Sequence, residues 1–135
     1  MKKLLITGCS KKKSNIPGRA KDVYQGQIFK KCLELATKKN YDLRILSAKY
    51  GILNPNTIIY AYENVIKNKI DVTNLFNLIH DKFEALQSQY QKILVVMGKK
   101  YRDVIESWFD ERFEIMEGRD YCDYVKKIKE RIMEG

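Results

Sequence analysis

Histidine is nearly absent from this sequence, with His80 its single instance, which rules out a histidine-rich metal centre. Cysteine is sparse as well. Cys9, Cys32 and Cys122 are an odd number at wide spacing, so neither a disulfide framework nor a zinc-ligand pattern is present. Such thiols suit a reducing compartment, and a cytoplasmic location with no metal and no cofactor is the expectation. Long apolar runs are missing too, and nothing approaches the roughly 18 residues that span a bilayer. Leu4, Leu5 and Ile6 follow a basic start, but that run ends at Thr7 and Gly8. It falls short of the roughly 7–15 residues of a signal core, so no membrane partner is expected. The patterns G-x-x-x-x-G-K-S/T and G-x-G-x-x-G are both absent, which leaves P-loop ATP hydrolysis and dinucleotide chemistry without support. No repeat, low-complexity tract or linker divides the chain, so residues 1–135 are expected to form one domain.

Positive charge, by contrast, is abundant and uneven. The formal net charge is +9. Residues 1–49 carry 13 Lys and Arg against three acidic residues, Asp22, Glu34 and Asp42, and hold +10. Residues 50–135 carry 13 against 14 and hold −1. A Lys-rich stretch of this kind is either a solvated surface or a face for phosphate, free or polymeric, which lysine attracts without reading base sequence.

Four short apolar runs, residues 3–7, 43–47, 93–97 and 113–116, predict strands. The first and third are continuous, as in strands covered on both faces. Apolar residues recur at helical spacing elsewhere: Phe29 to Ala36, Val72 to Leu86, Tyr101 to Trp108 and Tyr121 to Ile132. Strands alternating with helices imply a single-domain three-layer α/β/α fold with a mostly parallel sheet of about four strands. Two connections, residues 9–21 and 51–69, are long. The second carries Ile58, Ile59, Tyr60, Tyr62 and Val65, and side chains of that size must lie against something.

In open α/β sheets, ligands bind outside the carboxyl ends of the strands. Every predicted strand here is followed closely by a glycine and a cation. Glycine lets backbone approach a ligand, and a helix N-terminus offers free N–H groups to an anion. A shared anion or nucleotide pocket is therefore expected. It would hold Gly8, Cys9, Ser10 and Lys13 after the first strand, Ser47, Lys49, Tyr50 and Gly51 after the second, and Gly98, Lys99 and Tyr101 after the third. Catalysis is assigned to Ser10, Lys49 and Tyr50. Ser10 supplies a hydroxyl for a phosphate or base edge, and Lys49 is either an amine nucleophile or an anion ligand. Tyr50 is a phenol that Gly51 can turn toward the same opening. Cys9 is either a nucleophile beside the lysines or a small packing residue. Tyr24, Tyr50 and Tyr62 can stack on a base or donate hydrogen bonds. Glu63 is either a general acid or base or the partner of a lysine.

The stretches LITGCSKKK, DVYQGQIFKKC, ILSAKYGILNPNTIIYAYE and VVMGKKY resemble the short relatives of the YaaA-like (peroxide-stress protein YaaA) family across residues 3–101. The similar elements are Tyr24-Gln25-Gly26, Ser47 with Tyr50-Gly51, and Tyr62, so the resemblance adds Gln25 and Gly26 to the substrate-binding candidates. Ala61 stands where that family usually has proline. The resemblance implies DNA binding and protection from oxidative stress, without a defined reaction. Cys9-Ser10 followed by Lys13 bears a fainter likeness to the archaeosine synthase core, which modifies a tRNA base. Two functions follow. One is an enzyme acting on a nucleobase or nucleotide, free or in nucleic acid. The other is a non-catalytic DNA- or RNA-binding protein linked to stress response. An enzyme requires Ser10, Lys49 and Tyr50 to converge in a pocket, whereas a binder requires Lys11, Lys12, Lys13, Lys30, Lys31, Lys38 and Lys39 to form one exposed stripe.

Overall fold

Leu4, Leu5, Ile6 and Thr7 are all buried, because the strand they form, β1 (Lys3–Gly8), is central and covered on both faces. In the computed structural model, which describes residues 1–134, β1 pairs in parallel with β3 (Asp42–Ser47) on one side and β6 (Lys92–Val96) on the other. Beyond β6 lies β7 (Phe113–Ile115), also parallel, and beyond β3 lies β4 (Gly51–Leu53), antiparallel. The order is therefore β4-β3-β1-β6-β7. The helices α2 (Gln27–Lys39) and α5 (Tyr121–Met133) pack on one face against Leu5, Ile45 and Leu94. On the other, α3 (Lys69–Gln87) and α4 (Lys99–Ile105) pack against Leu4, Ile6 and Val95. This is the expected three-layer α/β/α arrangement. Its strand order reverses between β1 and β6, and that reversal opens a crevice at their carboxyl ends.

The two long connections hold structure that the sequence pattern does not show. Gly51, at φ +77°, takes a conformation that side-chain-bearing residues rarely adopt and sends the chain back as β4, a fifth strand. The ammonium of Lys82 donates to the Ile52 carbonyl at 2.8 Å and blunts that open edge. Further on, β5 (Ile58–Ile59) pairs antiparallel with β2 (Gly18–Arg19), so the two long connections pack on each other beside a single helical turn, α1 (Ala20–Val23). Among the described residues, no helix is long and apolar enough to cross a membrane.

Candidate functional site

The ends of β1 and β6 are stitched together before they diverge. The Thr7 hydroxyl donates to the Val96 carbonyl at 2.8 Å, and the Cys9 N–H donates to the Leu46 carbonyl of β3 at 3.0 Å. The chain then turns away through residues 10–12. Ser10 Oγ accepts the Gly26 N–H at 2.8 Å and donates to the Lys12 carbonyl at 2.9 Å, which clamps that turn onto the start of α2. A Cβ at position 26 would lie 2.5 Å from Ser10 Oγ, so the clamp requires glycine there. The first turns of α2 and α4 both begin at a glycine, Gly26 and Gly98, with no capping side chain. By contrast, α3 and α5 are capped by Asn68 and Asp120.

Between these elements lies a cleft of two adjoining compartments that share Cys9, Ser10, Lys11, Gly98 and Tyr101. The first, of about 500 Å³, is walled by Phe29, Val96, Met97, Tyr101 and Tyr124, with the exposed Lys11 and Lys12 at its border. At its outer end the Tyr121 hydroxyl accepts the Gln27 N–H at 3.0 Å. The second, of about 540 Å³, is bordered by Lys11, Lys13, Lys67, Lys99 and Lys100. Among the described residues, no carboxylate lines either compartment.

Behind the cleft sits a buried hydroxyl network. Ser47 Oγ accepts the N–H groups of Lys49 (3.2 Å) and Tyr50 (3.0 Å), so its own proton goes to the Tyr62 hydroxyl at 2.8 Å. Tyr62 also bonds the Tyr24 hydroxyl at 2.5 Å, and the Tyr101 hydroxyl lies 3.2 Å from Cys9 Sγ. Burial pushes the Tyr24 phenol up to about 12. The phenols of Tyr62 and Tyr101 are raised further, first by burial and then by their interaction with the neighbouring Cys9 side chain. All three stay protonated at neutral pH. The Lys13 ammonium lies 4.4 Å from the centre of the Tyr62 ring. Of the other thiols, Cys32 is fully buried and pushed up to about 12 by that burial, and Cys122 is exposed.

The structure brings together Gly8, Cys9, Ser10, Lys13, Gln25, Gly26, Gly98, Lys99 and Tyr101 around this cleft, with Tyr24 and Tyr62 behind it. Lys49 and Tyr50 do not join them. Lys49 is exposed, with its ammonium 5.3 Å from the Tyr50 ring centre, and the Tyr50 hydroxyl is taken up by the backbone of Tyr60. The cause is the turn into β4, which places residues 48–50 in a hairpin connection one strand away from the crevice. Ser47 is fully buried as the anchor of that hairpin, and Gly51 faces Ile79 and Leu78 of α3. Glu63 is exposed beside Asp71 in a separate depression. Of the lysines of the expected stripe, Lys11, Lys12 and Lys13 lie at the carboxyl edge, Lys30 and Lys31 in the first turns of α2, and Lys38 and Lys39 about 15 Å or more from its start. There the Lys39 carbonyl accepts the ammonium of Lys3, at the opposite edge. The sequence patterns did not single out Phe29, Lys67 or Tyr124 for the cleft. Tyr124 had one usable signal, its place one helical turn after Tyr121.

Residues 4–117 match the Family of unknown function (DUF6884), and the chain belongs to that family. It is similar to Uncharacterized protein YfjM of Bacillus subtilis (strain 168), with 28% identity over 123 residues that span 85% of this chain and 82% of that protein. The match to DUF6884 overturns the YaaA-like resemblance, because it takes in the segments that carried it and no YaaA-like match accompanies it. The shared motifs are strand ends followed by glycine, lysine and tyrosine, which any sheet of this kind needs where a strand yields to a loop or helix. The associations with DNA and oxidative stress fall with that resemblance.

Proposed function

We propose that this member of DUF6884 is an enzyme acting on a nucleobase or nucleotide held in the cleft between β1 and β6. One observation carries the reading: at the switch point of the sheet, an aromatic-walled compartment adjoins a lysine-rich one, and among the described residues no carboxylate lines either. Flat aromatic walls suit a base, and convergent ammonium groups suit an anion. Cys9 and Tyr101 face both compartments and are the groups we assign to chemistry, the thiol as nucleophile and the protonated phenol as hydrogen-bond donor. Ser10 is committed in both directions to Gly26 and Lys12, so its part is to shape the rim.

A thermal-shift screen of nucleobases, nucleosides and nucleotides against inorganic phosphate and citrate tests the proposal. A ligand at about 100 times its Kd stabilises by about 2.7 kcal/mol. Compounds containing a base are expected to raise Tm and to be converted on prolonged incubation, with conversion lost in Cys9→Ser. Stabilisation by anions regardless of any base would overturn it.

A further inference from the structure

We infer that the ligand is a free nucleoside monophosphate lying across Tyr101, its base in the aromatic compartment and its phosphate among Lys13, Lys67 and Lys100. The inference rests on the nucleotide reading above and narrows it. Charge is distributed unequally between the compartments. In the first, the only lysines are Lys11 and Lys12, both exposed and both from one turn. In the second, lysines converge from three separate segments: the turn after β1, the stretch before α3 and the start of α4. Lys99 is turned to Asp103, 3.1 Å away, but the ammonium groups of Lys13, Lys67 and Lys100 form no ion pair among the described residues, the Asp71 carboxylate beside Lys67 being taken up by the Lys67 N–H at 2.8 Å. Unpaired cations gathered at one cavity from distant parts of the chain call for an anion of compact shape, which a terminal phosphate supplies.

Size favours a single nucleotide over a polymer. Compartments of about 500 and 540 Å³ each fall within the roughly 300–1,000 Å³ of small-molecule sites. Single-strand binders instead use an open groove of about 4–16 nucleotides. The Lys100 ammonium rests on the Lys67 carbonyl, 3.3 Å away, and a terminal phosphate would take its place as the acceptor.

Calorimetric titration tests this with AMP, GMP, CMP and UMP, their nucleosides, ribose 5-phosphate and a single-stranded hexanucleotide. The best monophosphate is expected to bind at least about tenfold more tightly than its nucleoside or ribose 5-phosphate, a difference of one decade in Kd. The hexanucleotide should bind more weakly than the monophosphate. The double variant Lys67→Ala/Lys100→Ala should reduce the monophosphate to the level of its nucleoside while leaving the nucleoside unchanged, and Lys38→Ala, on the exposed end of α2, should change neither. Equal affinity for nucleoside and monophosphate, tighter binding of the hexanucleotide, or loss of the phosphate preference in Lys38→Ala alone would each overturn the inference and leave the nucleotide reading standing. If no compound with a base binds, that reading fails as well.

Discussion

Substituting Gly26 by alanine should damage the protein through Ser10 rather than through the backbone. Gly26 sits at φ −69° and ψ 151°, which alanine adopts freely, so no conformational strain arises. The new Cβ would lie 2.5 Å from Ser10 Oγ, and the hydroxyl must rotate away. Its bonds to the Gly26 N–H and the Lys12 carbonyl are then lost, at a cost of about 1–3 kcal/mol for partly buried groups left unpaired. Alanine is also a poorer N-cap than glycine, by about 1 kcal/mol or less. Gly26→Ala should therefore destabilise by roughly 2–4 kcal/mol, and Ser10→Ala, which removes the same two bonds, by roughly 1–3 kcal/mol. The double variant is the informative one. Once the hydroxyl is gone, the nearest Ser10 atom is its Cβ at 3.4 Å, an ordinary contact. The double variant should cost no more than Gly26→Ala alone, a coupling of about 1–3 kcal/mol between the two sites. Urea denaturation of all four proteins, with m-values checked for constancy, measures it. Additive losses would mean that Ser10 and Gly26 do not share the clamp described.

Alkaline pH should unfold the protein through its buried acids. Cys32, raised from 9.0 to about 12, and Tyr24, raised from 10.0 to about 12, keep their protons in the fold after the unfolded chain has lost them. Stability present below pH 9 should therefore fall as pH rises from 9 to 12, and Cys32→Ala should flatten the lower part of that fall; urea midpoints independent of pH in this window would refute it. Tyr62→Phe leaves the Ser47 proton without its acceptor and should cost about 1–3 kcal/mol in denaturant unfolding, whereas Tyr101→Phe, at the cleft, should cost less. Lys49→Ala and Tyr50→Phe, outside the cleft, should leave ligand affinity within about twofold and stability within about 1 kcal/mol, so a large loss of binding in either would restore them to the site.

The parallel strands β1, β3 and β6 were legible because each is an apolar run long enough to show burial, β7 only because Ile115 and Met116 follow Phe113, and the larger helices because their apolar spacing persists for two turns or more. The strands β2, β4 and β5 have two or three residues each, too few for any alternation to register. Missing β4 had a direct consequence for the site. A strand running on past Ser47 puts Lys49 on the face of Ser47 at the rim, but the hairpin begun there leaves it exposed, 5.9 Å from the Tyr62 ring centre and outside the lining of both compartments. The order of strands matters as much. All four carboxyl ends face one edge, yet the crevice lies only between β1 and β6, and nothing local in the sequence says which two strands flank it. Residues 8–10 and 98–101 were therefore found from their motifs. Phe29, Lys67 and Tyr124 reach the cleft through long-range packing alone.

Backbone amide shifts in a titration of the isotope-labelled protein with a nucleoside monophosphate would locate binding without assuming any reaction. Saturable changes centred on Gly8, Cys9, Ser10, Gly26, Gly98 and Lys100 are the expected result, with Lys38, Lys39 and Gly51 unmoved. Changes centred on Lys3, Lys38 and Lys39 at the opposite edge of the sheet, or none at saturating nucleotide, would contradict a nucleotide site between β1 and β6.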